Sequence, residues 1–518
     1  MRRLSLILAC LLLAASASAQ TRLLTIDDLY DAQKRIDFSG GAPLGLTWIS
    51  DTHYVWAKPA GGAVDWVKVE AATGASEPLF DAARMREAFA ALPGLGADDV
   101  ARLPNQRGLE FNRSHTAVVI AIADDLYYYQ FGQPRAVRLT FDPYAEEEFS
   151  FSPDARQVAF VRRHNLFVVN VEQQRQERQL TTSGTDQILN GKLDWVYQEE
   201  IYGRGNYRAY WWSPDSTHLA FLQLDERPVP EFTVVDHIPP RLTLETWDYP
   251  KAGDPNPRVK LGVVRAVGAH VQWVDLGKYD PIEFLIVNVS WTPDARKVVY
   301  QVQNREQYWL DLNVAGRDGA APQTLFRETT KAWVSENGAP TWLKDGSFLW
   351  ISERSGWRHL YRYTADGSLI GPVTSGTWDL RTLHGVDESG GWIYFSGTER
   401  SYIGGDTYRV KLDGTGLTRL TGRAGTHRAS FSPGFALFAD SWSDAITPPQ
   451  VRVHKSDGAE VRIVHESRLP QLTEFKLSTP EFLQVKARDG FVMEAMLIKP
   501  TDFNPSRKYP VMQFTYAG

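Results

Sequence analysis

One phrase recurs along this 518-residue chain and constrains the fold more than any other feature. Phe151-Ser-Pro-Asp-Ala-Arg-Gln-Val-Ala-Phe160, Trp212-Ser-Pro-Asp-Ser-Thr-His-Leu-Ala-Phe221 and Trp291-Thr-Pro-Asp-Ala-Arg-Lys-Val-Val-Tyr300 share an aromatic, a small hydroxyl, Pro, Asp and then an apolar run. Degenerate copies begin at Trp342 and Phe431, and weaker ones near Ile49, Phe111 and Asp387, which makes eight. In each copy the Pro-Asp turn ends one strand and the apolar run begins the next, often with a further strand behind it, as at 165–171 and 307–312. A few short strands repeated every 40–80 residues or so are the signature of a propeller blade. Unrelated hairpins in a large sandwich would not repeat the same turn. The expected fold is therefore mostly β, an eight-bladed β-propeller over residues 46–475.

The spacing of the copies is uneven. Trp212 to Trp291 is 79 residues, against 51 from Trp291 to Trp342, so that blade carries an insertion. Residues 226–260 contain Pro228, Pro230, Pro239, Pro240, Pro250, Pro255 and Pro257. Proline cannot donate to a sheet ladder, so this segment is expected to project as an arm. Upstream, Thr25-Ile-Asp-Asp-Leu-Tyr reads as a cap followed by a short amphipathic helix with Ile26, Leu29, Tyr30 and Ile36 on its apolar face, within an N-terminal segment 20–45. Downstream of Leu472 the texture changes. Residues 482–498 read as a hairpin around Arg488-Asp-Gly490, and 509–516 as a further strand with no helix after it. An apolar strand without a covering layer points to a domain cut short over 476–518, and to a fragment of a longer protein.

Residues 1–19 begin with two arginines, continue as an apolar run from Leu4 to Ala15, and end Ala17-Ser-Ala19, as a secretory signal cleaved after Ala19 does. The run is shorter than the roughly 20 residues a membrane span needs. The single cysteine, Cys10, falls inside it. The exported chain would then hold no thiol, which excludes disulfides, thiolate metal sites and a cysteine nucleophile together; lipid attachment at Cys10 is disfavoured by the apolar chain that continues past it. A periplasmic or secreted location follows, with no membrane association after cleavage. Lys plus Arg number 56 against 62 Asp plus Glu, a formal charge of -6, so nucleic acid is not an expected partner.

Catalytic motifs are sparse. The 11 histidines are scattered, no His-Glu-x-x-His or phosphate loop occurs, and no Gly-x-Ser-x-Gly elbow is present. Neither a metal nor another cofactor is expected. The most unusual segment is Asp194-Trp-Val-Tyr-Gln-Glu-Glu-Ile-Tyr202, just ahead of Trp211-Trp-Ser-Pro. From the residues alone, Glu199 and Glu200 are either a solvated helical turn or two carboxylates in an aromatic frame that receive an ammonium group. An opposite charge at about 4 Å is worth about 4 kcal/mol at an effective dielectric of 20, before desolvation. The start of a peptide is such a cation.

The Asp194–Glu200 block followed by Trp211-Trp-Ser-Pro-Asp, with Tyr249-Pro-Lys-Ala-Gly, Asn256-Pro-Arg-Val-Lys260, Gly356-Trp-Arg-His359 and Lys508-Tyr-Pro-Val-Met-Gln-Phe-Thr-Tyr-Ala-Gly518, resembles the dipeptidyl peptidase IV family of serine exopeptidases. The resemblance spans nearly the whole chain. It implies an eight-bladed propeller capping an α/β-hydrolase domain, whose first strands would be residues 476–518, with the N-terminal segment packed on that domain. It implies that Glu199 and Glu200 bind the N-terminal ammonium of a peptide substrate, with Gln198 standing where the family has a further acid. It implies that Tyr516 donates to the oxyanion of the tetrahedral intermediate, and that the arm contributes to a homodimer. The triad of Ser, Asp and His would lie beyond Gly518.

The family commonly takes an Arg from a long hairpin in its second blade to the substrate carbonyl. Here Ala121-Ile-Ala-Asp-Asp-Leu-Tyr127 is a tight connection without one, and Arg102, Arg107 and Arg113 are neighbours without an assigned role. Removal of N-terminal Xaa-Pro or Xaa-Ala dipeptides is the implied activity. The alternatives are a non-catalytic propeller that binds a peptide or protein, and an endopeptidase of the same architecture in which Glu199 and Glu200 are structural.

Overall fold

The computed structural model describes residues 22–38, 40–42, 45–172, 176–268, 270–318 and 321–515. Residues 1–19, where a secretory signal is expected, and Tyr516 lie outside them. Eight antiparallel sheets follow one another along the described chain, at 47–78, 110–138, 147–179, 188–273, 284–329, 341–372, 380–419 and 426–466, here blades 1 to 8. Seven have four strands paired in chain order, and blade 4 has five. First strands of neighbouring blades meet between blades 2 and 3, 7 and 8, and 8 and 1, as only the inner edges of a ring can. The protein is an eight-bladed β-propeller.

The recurrent phrase occupies the turn from first to second strand in every blade, and its chemistry explains its recurrence. In blades 3, 4 and 5 the hydroxyls of Ser152, Ser213 and Thr292 each donate to the Asp two residues on, Asp154, Asp215 and Asp294, at 2.6 Å. The same hydroxyl oxygens accept the backbone N–H that opens the second strand, from Gln157, His218 and Lys297, at 2.9–3.1 Å. Ala155, Ser216 and Ala295 take the left-handed backbone the turn requires. The hydroxyl is thus engaged within six residues, while the Asp154 N–H donates to Ser216 of blade 4 and Asp215 also pairs with Arg317. Blade 2 replaces the hydroxyl with Asn112, whose Oδ1 accepts from Thr116 and Ala117.

Blade 8 keeps Ser432 but has Gly434 in place of the Asp, and the Gly434 N–H donates to Asp51 of blade 1 at 2.6 Å, as the Asp154 N–H of blade 3 donates to Ser216 of blade 4 at 3.0 Å. The degenerate copy therefore serves to close the ring. Trp48 Nε1 donates to the Ser430 carbonyl, and Arg462 reaches the Tyr54 hydroxyl and the Ala71 carbonyl, each at about 3 Å. Leu46, Tyr54 and Val69 pack against Ala439, Val451 and Val453 at the same seam. Apolar layers fill the other interfaces, the largest running through blades 4, 5 and 6 with Leu222, Val263, Ile286, Leu312 and Trp350 fully or nearly buried.

Three regions differ from the sequence expectation. Between blades 1 and 2 the chain forms helices Ala82–Ala90 and Ala97–Arg102, whose Met85, Phe89 and Val100 pack with Tyr127 and Tyr129 of blade 2. The N-terminal helix is one turn, Ile26–Tyr30, started by a Thr25–Asp28 capping box. Its apolar Ile26, Leu29 and Tyr30 face outward while Asp28 is buried and paired with the exposed Arg22, the reverse of the amphipathic reading. A five-residue turn has no second turn to hold an apolar face inward; this segment is tied instead by Arg22 to Glu474 and Lys476 and by Phe38 to Phe475. The hairpin pairs Glu481–Lys486 with Val492–Leu497 as expected, with both faces exposed. The described part of 509–516, through Thr515, is not a strand: it pairs with no other segment among the described residues, and a strand exists only through a partner.

Candidate functional site

The acidic block is built into the first strand of blade 4, not between two blades. Ile188–Asn190 and Tyr210–Trp212 pair with the same edge of His218–Asp225, end to end. At the break, Gly191 N–H donates to the Leu222 carbonyl, Leu222 N–H to Ala209, and Ala209 N–H to Gly191, so the ladder stays closed while residues 192–208 leave it as an excursion. Because first strands form the inner edge of the ring, this excursion starts from the wall of the central channel. No other blade has its first strand split in this way among the described residues.

The excursion is held by the residues around the acids. Asp194 Oδ2 and Oδ1 accept the N–H groups of Val196 and Tyr197 at 3.0 Å, starting a helical turn. Residues Tyr197–Ile201 form a π-helical turn, closed by Tyr202 N–H to the Tyr197 carbonyl at 2.8 Å, a geometry that clusters at functional sites. Tyr197 is fully buried; its hydroxyl accepts from Ile286 N–H at 3.4 Å, and the Tyr202 hydroxyl donates to the Ile286 carbonyl at 3.1 Å. The turn is thereby fastened to the first strand of blade 5. Trp195 meets Tyr249 edge-on at 4.4 Å, linking the block to the foot of the arm.

The three residues Gln198, Glu199 and Glu200 have separate surroundings. Gln198 is buried and its Oε1 accepts Gly205 N–H at 2.8 Å, so it latches the return of the excursion. Glu199 has a side chain only 15% exposed and is paired with Arg204, whose Nε lies 2.7 and 2.9 Å from its two carboxylate oxygens and whose Nη2 also contacts Oε1. Glu200 is exposed. Neither a solvated turn nor a ready-made pair of free carboxylates describes this fully, since one acid is sheltered and already neutralised. Arg204 was not singled out in the sequence; its setting, Gly203-Arg-Gly205, is the signal that marks it.

A second acidic group lies behind the block. A cavity of about 810 Å³ is lined by Asp194, Trp195, Gln198, Glu226, Trp247 and Asp248 among others, where the arm leaves the blade. Glu226 is 7% exposed, and burial, with repulsion from Asp194 and Asp248, pushes its carboxyl up to about 8. Burial likewise raises Asp194 to about 6, against the two N–H groups it accepts. The arm itself is a hairpin of Glu231–Asp236 with Thr243–Asp248, bearing exposed Val235, Ile238, Leu242 and Leu244. It enters between the second and third strands of blade 4, inside the expected span 226–260.

The other arginines do not join the site. Arg102 pairs with Asp99 on its own helix, and Arg107 and Arg113 are exposed; none pairs with Glu199 or Glu200 among the described residues. The 117–122 and 125–130 strands are joined by a two-residue turn, which holds no arginine. Tyr516 cannot be placed against the acids, because it lies outside the described residues. Among those residues no group of His, Cys, Asp and Glu is arranged to hold a metal ion, and no helix is long and apolar enough to cross a membrane.

The family model for the dipeptidyl peptidase IV N-terminal region matches residues 111–449, well over half of the chain. The chain belongs to this family. It is 27% identical to dipeptidyl peptidase 4 of Trichophyton tonsurans over 388 residues, 71% of this chain and 49% of that protein. It is also 27% identical to dipeptidyl peptidase 4 of Arthroderma otae over 386 residues, with the same two shares. The chain thus spans about half the length of the curated relatives it matches. The crystal structure of Porphyromonas gingivalis dipeptidyl peptidase 4 superposes with a TM-score of 0.81 at 27% identity, covering 95% of this chain and 69% of that one. In this chain the Asp194–Glu200 block sits in the split first strand of blade 4.

Proposed function

We propose that this chain is the propeller part of an exported serine exopeptidase that removes Xaa-Pro and Xaa-Ala dipeptides from peptides with a free N-terminus. In this reading Glu199 and Glu200 receive the substrate ammonium, Tyr516 donates to the oxyanion, and the nucleophile and its partners belong to a hydrolase segment beyond residue 518. The observation that supports it is the position of two adjacent acids on a rigidly fastened excursion from the inner strand of blade 4. Extended peptide advances about 3.3–3.6 Å per residue, so carboxylates fixed two residues from a nucleophile select the bond after the second residue. Internal segments carry no ammonium and are refused. A buried tyrosine hydroxyl aimed at developing negative charge contributes on the order of 3 kcal/mol to such a step.

The test is kinetic and uses the full-length protein. Glu199→Gln and Glu200→Gln are each expected to lower kcat/KM for an Ala-Pro dipeptidyl substrate by about 100-fold or more, the scale of breaking a sheltered charge pair. Wild type should leave the N-acetylated substrate uncut. Unchanged kinetics in both variants, or equal cleavage of acetylated substrate, would favour the endopeptidase reading. We further propose that the apolar arm hairpin contributes to a homodimer, because its exposed Val235, Ile238, Leu242 and Leu244 are costly to leave in water. Deleting residues 231–248 should halve the mass measured by light scattering; an unchanged mass removes that role.

A further inference from the structure

We infer that Arg204 is a resident counter-ion of the ammonium receptor, which a substrate must displace and which therefore sets the affinity for free N-termini. The inference rests on the receptor reading of Glu199 and Glu200 and adds a specificity-determining residue to it. Glu199 is the sheltered member of the acid pair, and a sheltered carboxylate needs a cation. Arg204 supplies one through a forked contact to both oxygens, the strong geometry for this pair. Yet the Arg204 side chain is 83% exposed, so the guanidinium has water on its free side and no packed wall to hold it.

The backbone is suited to release. Gly203 and Gly205, at φ +98° and +83°, flank Arg204, and neither has an atom within 4 Å of where a Cβ would stand. Residue 204 can move without repacking a core, while the neighbouring Gly205 N–H stays latched to the buried Gln198 amide. The acids would remain fixed as the cation leaves, since Tyr197 and Tyr202 hold the turn from its other side. With Arg204 in place, Glu199 is neutralised, and Glu200, exposed beside it, makes no ion pair among the described residues. An arriving ammonium gains the full attraction of two carboxylates only by taking the place of the guanidinium. Arg204 is thus a competitor carried on the receptor's own loop.

The experiment is isothermal titration of the full-length protein with the dipeptide Ala-Pro, which contains no bond to be cleaved in the proposed reaction, alongside N-acetyl-Ala-Pro. Removing the competitor in Arg204→Gln is expected to tighten Ala-Pro binding about fivefold, the upper range of what an exposed ion pair is worth, and to leave N-acetyl-Ala-Pro unaffected. Arg204→Lys restores a cation and should return the affinity toward wild type, a rescue that a purely structural residue would not show. If wild type prefers Ala-Pro to its acetylated form but Arg204→Gln binds it equally or more weakly, the counter-ion role is wrong and the receptor stands. If wild type binds the two peptides equally, the receptor itself is wrong and Arg204 falls with it.

Discussion

The eight strand-joining turns and the blade 4 excursion use similar polar residues under opposite rules. In a turn such as 292–297, the hydroxyl, the carboxylate and the backbone donors satisfy one another within six residues. Its bonding is mostly local, with single bonds to a neighbouring turn such as Asp154 N–H to Ser216 and Gly434 N–H to Asp51, so the same phrase can be copied around the ring. The excursion at 192–208 is open. Its tyrosines are bonded to Ile286 of the next blade, its tryptophan packs edge-on against Tyr249 at the foot of the arm, Glu199 pairs with the exposed Arg204, and Glu200 is exposed. The contrast teaches where a repeat protein places function: repetition is kept where bonding is local, and the one blade that breaks its first strand gathers residues bound over long separations.

The largest expected effect on this contrast comes from the fastening of the excursion. Tyr197→Ala removes a fully buried ring and its bond to Ile286, and should cost about 3–5 kcal/mol in urea unfolding. A loss below about 1 kcal/mol would mean the turn is not fixed to blade 5. Next is the acid group behind it. The folded protein holds a proton on Glu226 up to about pH 8, whereas an unfolded glutamate releases it near 4.5. The fold therefore binds more protons than the unfolded chain, and stability from this group is greatest below about pH 4.5 and is lost as pH rises toward 8. Glu226→Gln, which keeps the neutral form at every pH, should raise Tm at pH 8.5 relative to wild type and leave it nearly unchanged at pH 5. Equal shifts at both values would contradict this.

The smallest effect belongs to a single turn. Asp294→Ala should cost about 0.5–1.5 kcal/mol at neutral pH, the net worth of a hydrogen-bonded group in an exposed turn. The Thr292 hydroxyl holds the Asp294 carboxyl below its ordinary range. That contribution is present above the unfolded value of 3.8 and disappears as pH falls through the lower folded value, so wild type and variant should converge in acid. Failure to converge in acid-unfolding curves would remove the carboxylate from the account of the repeat.

The same division decides what could be read from residue order. Eight blades were legible because each turn carries its own bonding partners, so that Ser152, Ser213 and Thr292 announce the strand that follows. The arm was legible from its prolines, which cannot join a ladder. The split of the first strand was not, since it exists only through pairing of both halves with 219–225. The connector helices between blades 1 and 2 lack any repeat, and the outward face of Ile26 and Tyr30 depends on what Arg22 and Asp28 contact. Glu199 and Glu200 stood out by their neighbours Asp194, Trp195 and Tyr197. Arg204 did not, because it lies five positions beyond Glu199 and only the folded loop returns it there. The expected strand at 509–516 failed for the converse reason: its apolar residues promise a strand, and no partner stands beside the described ones.

The central claim is that the acid pair on the blade 4 excursion grips the charged start of a peptide. A crystal structure of the full-length protein with Ala-Pro bound tests it directly. The ammonium nitrogen is expected at about 2.7–2.9 Å from carboxylate oxygens of both Glu199 and Glu200, the range of charge-assisted bonds. A bound dipeptide whose ammonium sits elsewhere, with both carboxylates left to solvent, would contradict it.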